Sequence, residues 1–585
     1  MTQHNGVSRR SFLGAGLAAA AAAAANVAQA APRATEVDSW DEEFDMIVVG
    51  SGFAGLSACY EAQRLGLKKI VVLEKMEAFG GNSALCGGLM CMPLTKLQKA
   101  NGIKDDPELL VKDMFKAGRG FNHPQLARTL AENAYKAYDM MQACGVKLKD
   151  KVIRLGGHSA PRAHLPVNAS GGGVVVPLHK YLRGKGVEFR NRVNVKELVV
   201  TAKGCEGVIA AVDYDWRTDT EGKLKAFKAR YGVVVASGGW GQDKEFVSTT
   251  MPVYSQLECT SQPGATATMI KALLSIGALP VMLDMYQLGP WASPDEKGAG
   301  PGSFFADYAF AEGIAVDPKT GKRFMNELAD RRTRADAQLV VLAKGTKEKP
   351  NYPFCFCSEE TTKHAEGFKA AYREGTVKKS DSVEELAKLH NVDVSALKAS
   401  IADWNEIVAG KKADPFKKPL DVKTELKPPF YSMRLSPKLH YCMGGVAITP
   451  KAEVIDCRSL KPIAGLYAAG EVAGGVHGMD RLGGCSSVDG MVFGQIAGHE
   501  VASPRSNRRD NHEIEVLRCR SRCLSDVLGR LGCRSCGRSH EGLPRQGFRR
   551  CRSVCRLPRN ERTQVSSQRQ DLPHVPRSDG KNQNA

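Results

Sequence analysis

Outside its N-terminus the chain has no run of eighteen strongly apolar residues, so no membrane span is expected in its body. It has no C-x-x-C-H, which excludes c-type haem attachment by that motif. Its cysteines number seventeen, but those of the body (Cys59, Cys86, Cys91, Cys144, Cys205, Cys259 and others) are scattered. No pairing emerges from their spacing, and no metal site is assigned. Acidic residues are outnumbered, 63 against 82 basic ones, for a formal charge of +19. That excess is uneven. Residues 504–585 hold 18 Arg and one Lys against eight acids, a net of +11, which leaves +8 for the rest. In this stretch arginine replaces lysine, periodicity vanishes and six cysteines appear. Cys519/Cys523, Cys533/Cys536 and Cys551/Cys555 are too irregular for a metal site, and the arginines alone do not make a nucleic-acid surface. A basic, disordered extension, or a segment translated out of frame, explains the composition better. No nucleic-acid partner is expected.

A length of 585 residues calls for three or four segments. Ser8-Arg9-Arg10-Ser11-Phe12-Leu13-Gly14 reads as a twin-arginine export signal. An alanine-rich run follows, with Ala28-Gln29-Ala30 as a cleavage site rather than an uncleaved anchor. Residues 1–30 are therefore a signal peptide and 31–44 an acidic linker, and the expected location is the periplasm. Twin-arginine export moves folded proteins, which suits a chain that binds its cofactor first.

What is abundant is glycine, 59 residues, and it is concentrated where a bulky anion would need close backbone approach. Ile47-Val48-Val49 leads into Gly50-Ser51-Gly52-Phe53-Ala54-Gly55 and then a helical pattern. This is the dinucleotide-binding fingerprint, with a pyrophosphate placed on the helix N-terminus. A second strand, KIVVLEK, carries Glu74 and Lys75, and Glu74 can hold a ribose hydroxyl. Gly81-Asn82-Ser83 and Gly87-Gly88 offer small polar groups for a flavin and its phosphates. More than 400 residues later comes GLYAAGEVAGGVHGMDRLGG, with Gly470, Glu471 and one arginine, Arg481. Between the halves, residues 284–439 change texture, with more Pro and Lys and helix-like segments such as SVEELAKLH. The expected fold is α/β: a two-part Rossmann-like FAD-binding domain (45–283 and 440–503) with an inserted α+β capping domain (284–439).

Three further motifs converge: Gly321-Lys322-Arg323-Phe324-Met325-Asn326-Glu327…Arg331, Leu439-His440-Tyr441-Cys442-Met443-Gly444-Gly445, and the Arg481 stretch. With the cofactor loops they resemble the flavoprotein subunits of fumarate reductases. The resemblance is nearer to the soluble periplasmic flavocytochrome c type and to relatives that reduce urocanate, methacrylate or cinnamates. It covers about residues 45–503, with four separated motifs in the family's order. It implies non-covalent FAD between the nucleotide domain and a mobile cap, with an unsaturated carboxylate over the flavin. Hydride would pass from flavin N5 to the β-carbon and a proton from Arg331 to the α-carbon. His440 and Arg481 would grip the carboxylate, with Gly484 and Asp307 nearby. Fixed cations suit the charge that hydride addition builds beside a carboxylate. The FAD contacts it implies are Gly50, Ser51, Gly52, Ala54, Gly55, Glu74, Lys75, Gly81, Asn82, Ser83, Gly87, Gly88, Ala236, Tyr441, Gly470, Glu471, Ser486 and Ser487.

The chain departs from that pattern in places. Gly289 stands where fumarate reductases of this type hold the second carboxylate with a histidine. The usual Glu and Arg of the proton relay are not evident; Phe304–Phe310 offers only Asp307, among aromatics. The family's G-D-G run is Ala267-Thr268-Met269, and Asp480 replaces Asn before Arg481, with Cys485 after the glycine pair. One carboxylate grip with aromatic walls points to a monocarboxylate with a flat apolar or heteroaromatic tail rather than fumarate. The expectation is an FAD-dependent reductase of an α,β-unsaturated carboxylate in anaerobic respiration, fed by a separate c-type cytochrome or other donor. Its rivals are a flavin dehydrogenase acting on a steroid-like ketone and a non-catalytic FAD-binding electron-transfer protein.

Overall fold

The computed structural model describes residues 37–420 and 422–503. The twin-arginine stretch, the start of the linker and the basic tail lie outside the described residues. The expected α/β architecture is present. Strand β1 (Glu42–Val49) carries Met46, Ile47 and Val48 with no exposed surface. An apolar run covered on both sides is what a parallel strand between helices requires. The chain turns at Gly50, whose φ of +102° an L-residue rarely adopts, and a Cβ there would overlap the Ala236 carbonyl. Helix α1 (Phe53–Arg64) leads to β2 (Ile70–Leu73), parallel to β1 with Met46 opposite Ile70 and Val49 opposite Leu73. A short helix, α2 (Gly81–Leu85), precedes strands β3 (Glu188–Arg190), β4 (Val193–Thr201), β5 (Gly204–Val212) and β6 (Leu224–Val235). Strand β6 lies parallel to β1 on its other side, and β4 and β5 extend from it as an antiparallel arm.

The chain leaves this domain through β7 (Tyr286–Gly289). Helix α3 (Gly302–Glu312), strands β8 (Ile314–Asp317) and β9 (Lys322–Arg323) and helix α4 (Arg331–Leu342) follow. Strands β10 (Phe354–Ser358) and β11 (Lys378–Ser380), helix α5 (Val394–Val408) and strand β12 (Phe430–Arg434) complete the insert. Its five strands form one antiparallel sheet, β9-β8-β10-β12-β11. Phe354, Phe356 and Phe430 are fully buried beneath α5, packed with Trp404.

The return runs through β13 (Lys438–Cys442), which pairs antiparallel with β7. The outgoing and returning strands thus form one ribbon. Its register jumps: Gln287 faces Tyr441 and Leu288 faces Leu439, so His440 is the extra residue of a bulge. Bulges kink a strand and re-aim one side chain, and they recur beside active sites. Strands β14 (Glu453–Ile455) and β15 (Pro462–Ala468) then complete the large sheet, in the order β14-β15-β6-β1-β2-β3. Helix α6 (Cys485–Ala502) lies on α1. A Cβ at Gly494 or Gly498 would overlap the carbonyls of Ala54 and Ala58, so these glycines set the close approach of the two helices. Residues 440 apart in sequence are joined this way.

Candidate active site

The carboxyl ends of the parallel strands open onto a cleft of about 600 Å³. It is lined by Gly50, Ser51, Gly52, Ala54, Glu74, Lys75, Gly81, Asn82, Ser83, Ala236, Tyr441, Gly470, Glu471, Ser486 and Ser487. A ligand site at such a place is the rule in open α/β sheets. A Cβ at Gly81 or Gly238 would meet nothing within 4 Å, so bare backbone faces open space. Helix α1 has no side-chain cap of its own at Gly52. These features fit a dinucleotide, whose pyrophosphate a helix N-terminus and bare backbone can approach.

Three of the glycines assigned to the cofactor do other work. Gly55 lies against the Gly50 carbonyl and Val48, where helix meets strand. Gly87 packs on the Phe304 ring of α3, and Gly88 on Ser170. Glu74 is buried, and it accepts from Ser51 N at 3.1 Å, Ser51 Oγ at 2.5 Å and Met76 N at 2.9 Å. It therefore fixes the turn as well as facing the cleft. Lys75 donates to Thr266 Oγ1 at 2.6 Å, while Thr268 and Met269 line the wall where the G-D-G run was expected.

At one end of the cleft the ribbon and cap bring the remaining residues together. Gln287, on β7, is the hub. Its Oε1 accepts from Arg331 Nη1 at 2.9 Å and from Arg481 Nη2 at 2.8 Å. Its Nε2 donates to the Arg481 carbonyl at 2.8 Å and to the Asp480 carboxylate. One amide oxygen thus holds two guanidinium groups side by side. The sequence reading missed Gln287: it lies two residues before Gly289, but which face of a strand it occupies cannot be read from a four-residue run. Arg481 also donates to Leu482 O at 2.9 Å and lies 4.7 Å from the Tyr441 ring, while its Nε has no partner. His440 Nδ1 meets Thr260 Oγ1 at 2.8 Å. With that hydroxyl donating, Nε2 carries the proton, an assignment made from the network.

Arg331 is the first residue of α4, after the capping Asp330. A cation there opposes the positive end of the helix dipole. The chain leading into α4 is held by the buried Arg323–Glu327 pair, with Arg323 Nη2 at 2.7 Å and Ala315 N donating to the same carboxylate at 3.0 Å, and Arg334 of α4 donates to the Glu327 carbonyl at 3.3 Å. Burial, first, and then the neighbouring Arg481 bring Arg331 down to about 9. Burial, Arg331 and Arg481 push the His440 imidazolium well below its ordinary range, so this histidine is neutral near pH 7. Asp307, on α3, has 56% of its side chain exposed. Burial raises its carboxyl, opposed by Arg334 and Arg331. Arg334 Nη1 stands 4.0 Å from Asp307 Oδ1, and its guanidinium lies 5.3 Å from the Phe310 ring. Arg334 was also missed; only its spacing, one helical turn after Arg331, could have flagged it. Gly484 is the left-handed residue before α6, and its carbonyl accepts from Cys91 N at 3.1 Å.

The chain is similar to known proteins. Residues 45–487 match the FAD_binding_2 family, described as FAD binding domain. An acrylate reductase flavoprotein subunit of Shewanella woodyi is 40% identical over 502 residues, 85% of this chain and 99% of that protein. A fumarate reductase (cytochrome) of Shewanella frigidimarina is 32% identical, covering 78% of this chain and 77% of that one. Among solved structures, the open conformation of a flavocytochrome c3 fumarate reductase matches with a TM-score of 0.65 at 31% identity. That likeness covers 79% of this chain and 78% of that one.

Proposed function

The chain belongs to the FAD_binding_2 family as a fumarate reductase-like FAD oxidoreductase, and from that premise we propose that it reduces the C=C bond of an α,β-unsaturated monocarboxylate. The observation that carries this reading is the paired guanidinium groups of Arg331 and Arg481 on one neutral acceptor, Gln287 Oε1. Two adjoining cations, Arg481 buried and Arg331 partly so, sharing a neutral acceptor beside a neutral histidine, call for an anion between them. A steroid-like ketone does not supply one, and a purely electron-transferring flavoprotein has no need of it. The acrylate reductase among the relatives is named for a substrate of this class.

When bound, FAD supplies the hydride that the β-carbon receives. The protein's part is to hold and protonate. Arg481 and His440 grip the carboxylate, the histidine as a neutral donor. Charge that builds on the α-carbon and carboxylate is met by cations already in place. Arg331 then donates a proton to the α-carbon. An arginine is normally too weak an acid, but one lowered to about 9 is matched to the task. Asp307 repels a carboxylate, so its role is proton supply: it is exposed and stands beside Arg334, one helical turn from Arg331. We further place the reaction in anaerobic disposal of electrons in the periplasm. A separate cytochrome is the donor, consistent with a twin-arginine motif and no C-x-x-C-H. FAD is held without a covalent bond; Gly81–Leu85 offers no histidine to carry one.

The test is anaerobic oxidation of reduced methyl viologen by the purified holoprotein with acrylate, methacrylate, crotonate, cinnamate, urocanate and fumarate. Turnover with at least one monocarboxylate, and saturated product in stoichiometric yield, is expected. No turnover with any enoate, or oxidation of a ketosteroid instead, would overturn the proposal.

A further inference from the structure

Resting on that reading, we propose that Trp291 is the residue that limits the substrate, confining the site to short enoates with no second charge and little at the β-carbon. The indole is almost wholly buried, at 7% exposure. It stands beside both the group assigned to the carboxylate and the group assigned to the α-carbon. Its ring centroid is 4.8 Å from that of His440, at 83°, and 5.7 Å from the Arg331 guanidinium carbon. The tail of a substrate lying on that side of His440 and Arg331 therefore meets an aromatic surface and no charge of its own.

Nor is the indole free to yield. Its benzo edge covers Gly289: a Cβ built there would fall 2.9–3.2 Å from three of its ring carbons. On the cap side it is part of a buried cluster with Phe305, Phe310 and Met433. Pro290 O, just before it, accepts from the fully buried Gln338 of α4 at 2.7 Å, and Ala292 O, just after, from Ser436 N at 2.9 Å. Helix α4 thus carries Arg331 at its start and pins the tryptophan's backbone through Gln338. The indole's π face is negative, and a carboxylate placed against it would lose hydration and gain repulsion. An aromatic tail would have to displace the indole. This departs from the reading from sequence, in which aromatic walls favoured a flat apolar or heteroaromatic tail.

The experiment compares holoenzyme and variants on acrylate, crotonate, cinnamate and fumarate, with the ratio of kcat/KM values as readout. Wild type should prefer acrylate over cinnamate and over fumarate by about a hundredfold or more, the scale of discrimination a packed pocket provides. Trp291→Ala should shrink the acrylate-to-cinnamate ratio at least about tenfold, and Trp291→Phe should fall between. If Trp291→Ala does not fold, product inhibition of the wild type decides: propionate should inhibit and 3-phenylpropionate and succinate should not. Equal use of acrylate and cinnamate by wild type, or an unchanged ratio in folded Trp291→Ala, overturns this inference and leaves enoate reduction standing. Equal inhibition by all three products does the same. Failure of wild type on every enoate would overturn the underlying function instead.

Discussion

In the proposed reaction Arg331 is both a fixed cation and an acid, and its surroundings are consistent with that pairing. It opens a helix, stands beside Arg481, and is partly buried; each of these disfavours its charged form. Replacing it with Ala should cost about 3–4 kcal/mol of transition-state stabilisation, a hundred- to thousandfold in turnover, with FAD still bound and reducible by dye. The pH dependence has a definite sign. Below about 9 the free enzyme holds the proton Arg331 must give; above it the proton is lost, so kcat/KM should fall with an apparent pKa near 9. A profile flat to pH 10 would contradict the assignment. Asp307→Asn should lower kcat and enlarge its solvent isotope effect while KM changes little, since it touches supply of the proton and not the carboxylate. Fumarate should be a poor substrate, and Gly289→His alone should not improve it, because Trp291 occupies the space the new side chain needs.

Two elements place these residues. One is the ribbon of β7 and β13, on which Gln287 and His440 sit, with the bulge at His440 turning that ring toward Trp291. The other is the stretch from Arg323 to α4. Glu327 has no exposed side-chain surface and accepts from Arg323 and Ala315 N, with Lys418 at 3.6 Å. Breaking such a buried pair from one side leaves uncompensated charge, so Glu327→Gln should destabilise the cap by about 3–5 kcal/mol. Thermal unfolding of the holoprotein measures this, and activity should fall as Arg331 loses its anchor. The sequence showed the motif around Arg323 and Glu327 but not its use; a salt bridge four residues apart resembles an ordinary helix pair until its burial is known. The fingerprint strands were legible because β1 closes on an apolar run that meets a glycine turn and β2 is apolar throughout. The bulge was not, since nothing local distinguishes a bulged residue from a paired one. Gln287 and Arg334 were hidden for the same reason: their partners lie 194 and 27 residues away.

In the whole molecule, the FAD cleft is assembled from both ends of the folded region, joined where α6 meets α1, and the substrate end is added by the cap. Cofactor and fold should therefore support each other: removing FAD should lower the melting temperature, and added FAD should restore it. Residues 504–585 follow the last helix that the large sheet's domain uses, and their composition breaks sharply from the rest. Truncation at Ser503 should leave FAD content and turnover intact. The central claim is that a bound flavin and the Arg331–Gln287–Arg481 cluster together reduce an enoate. The most direct measurement mixes dye-reduced holoprotein with acrylate under anaerobic conditions and follows flavin absorbance in a single turnover, for wild type and Arg331→Ala. Wild type should reoxidise its flavin while forming one equivalent of propionate, and Arg331→Ala should stay reduced for at least about a hundred times longer. Reoxidation at the same rate in both proteins would contradict the account.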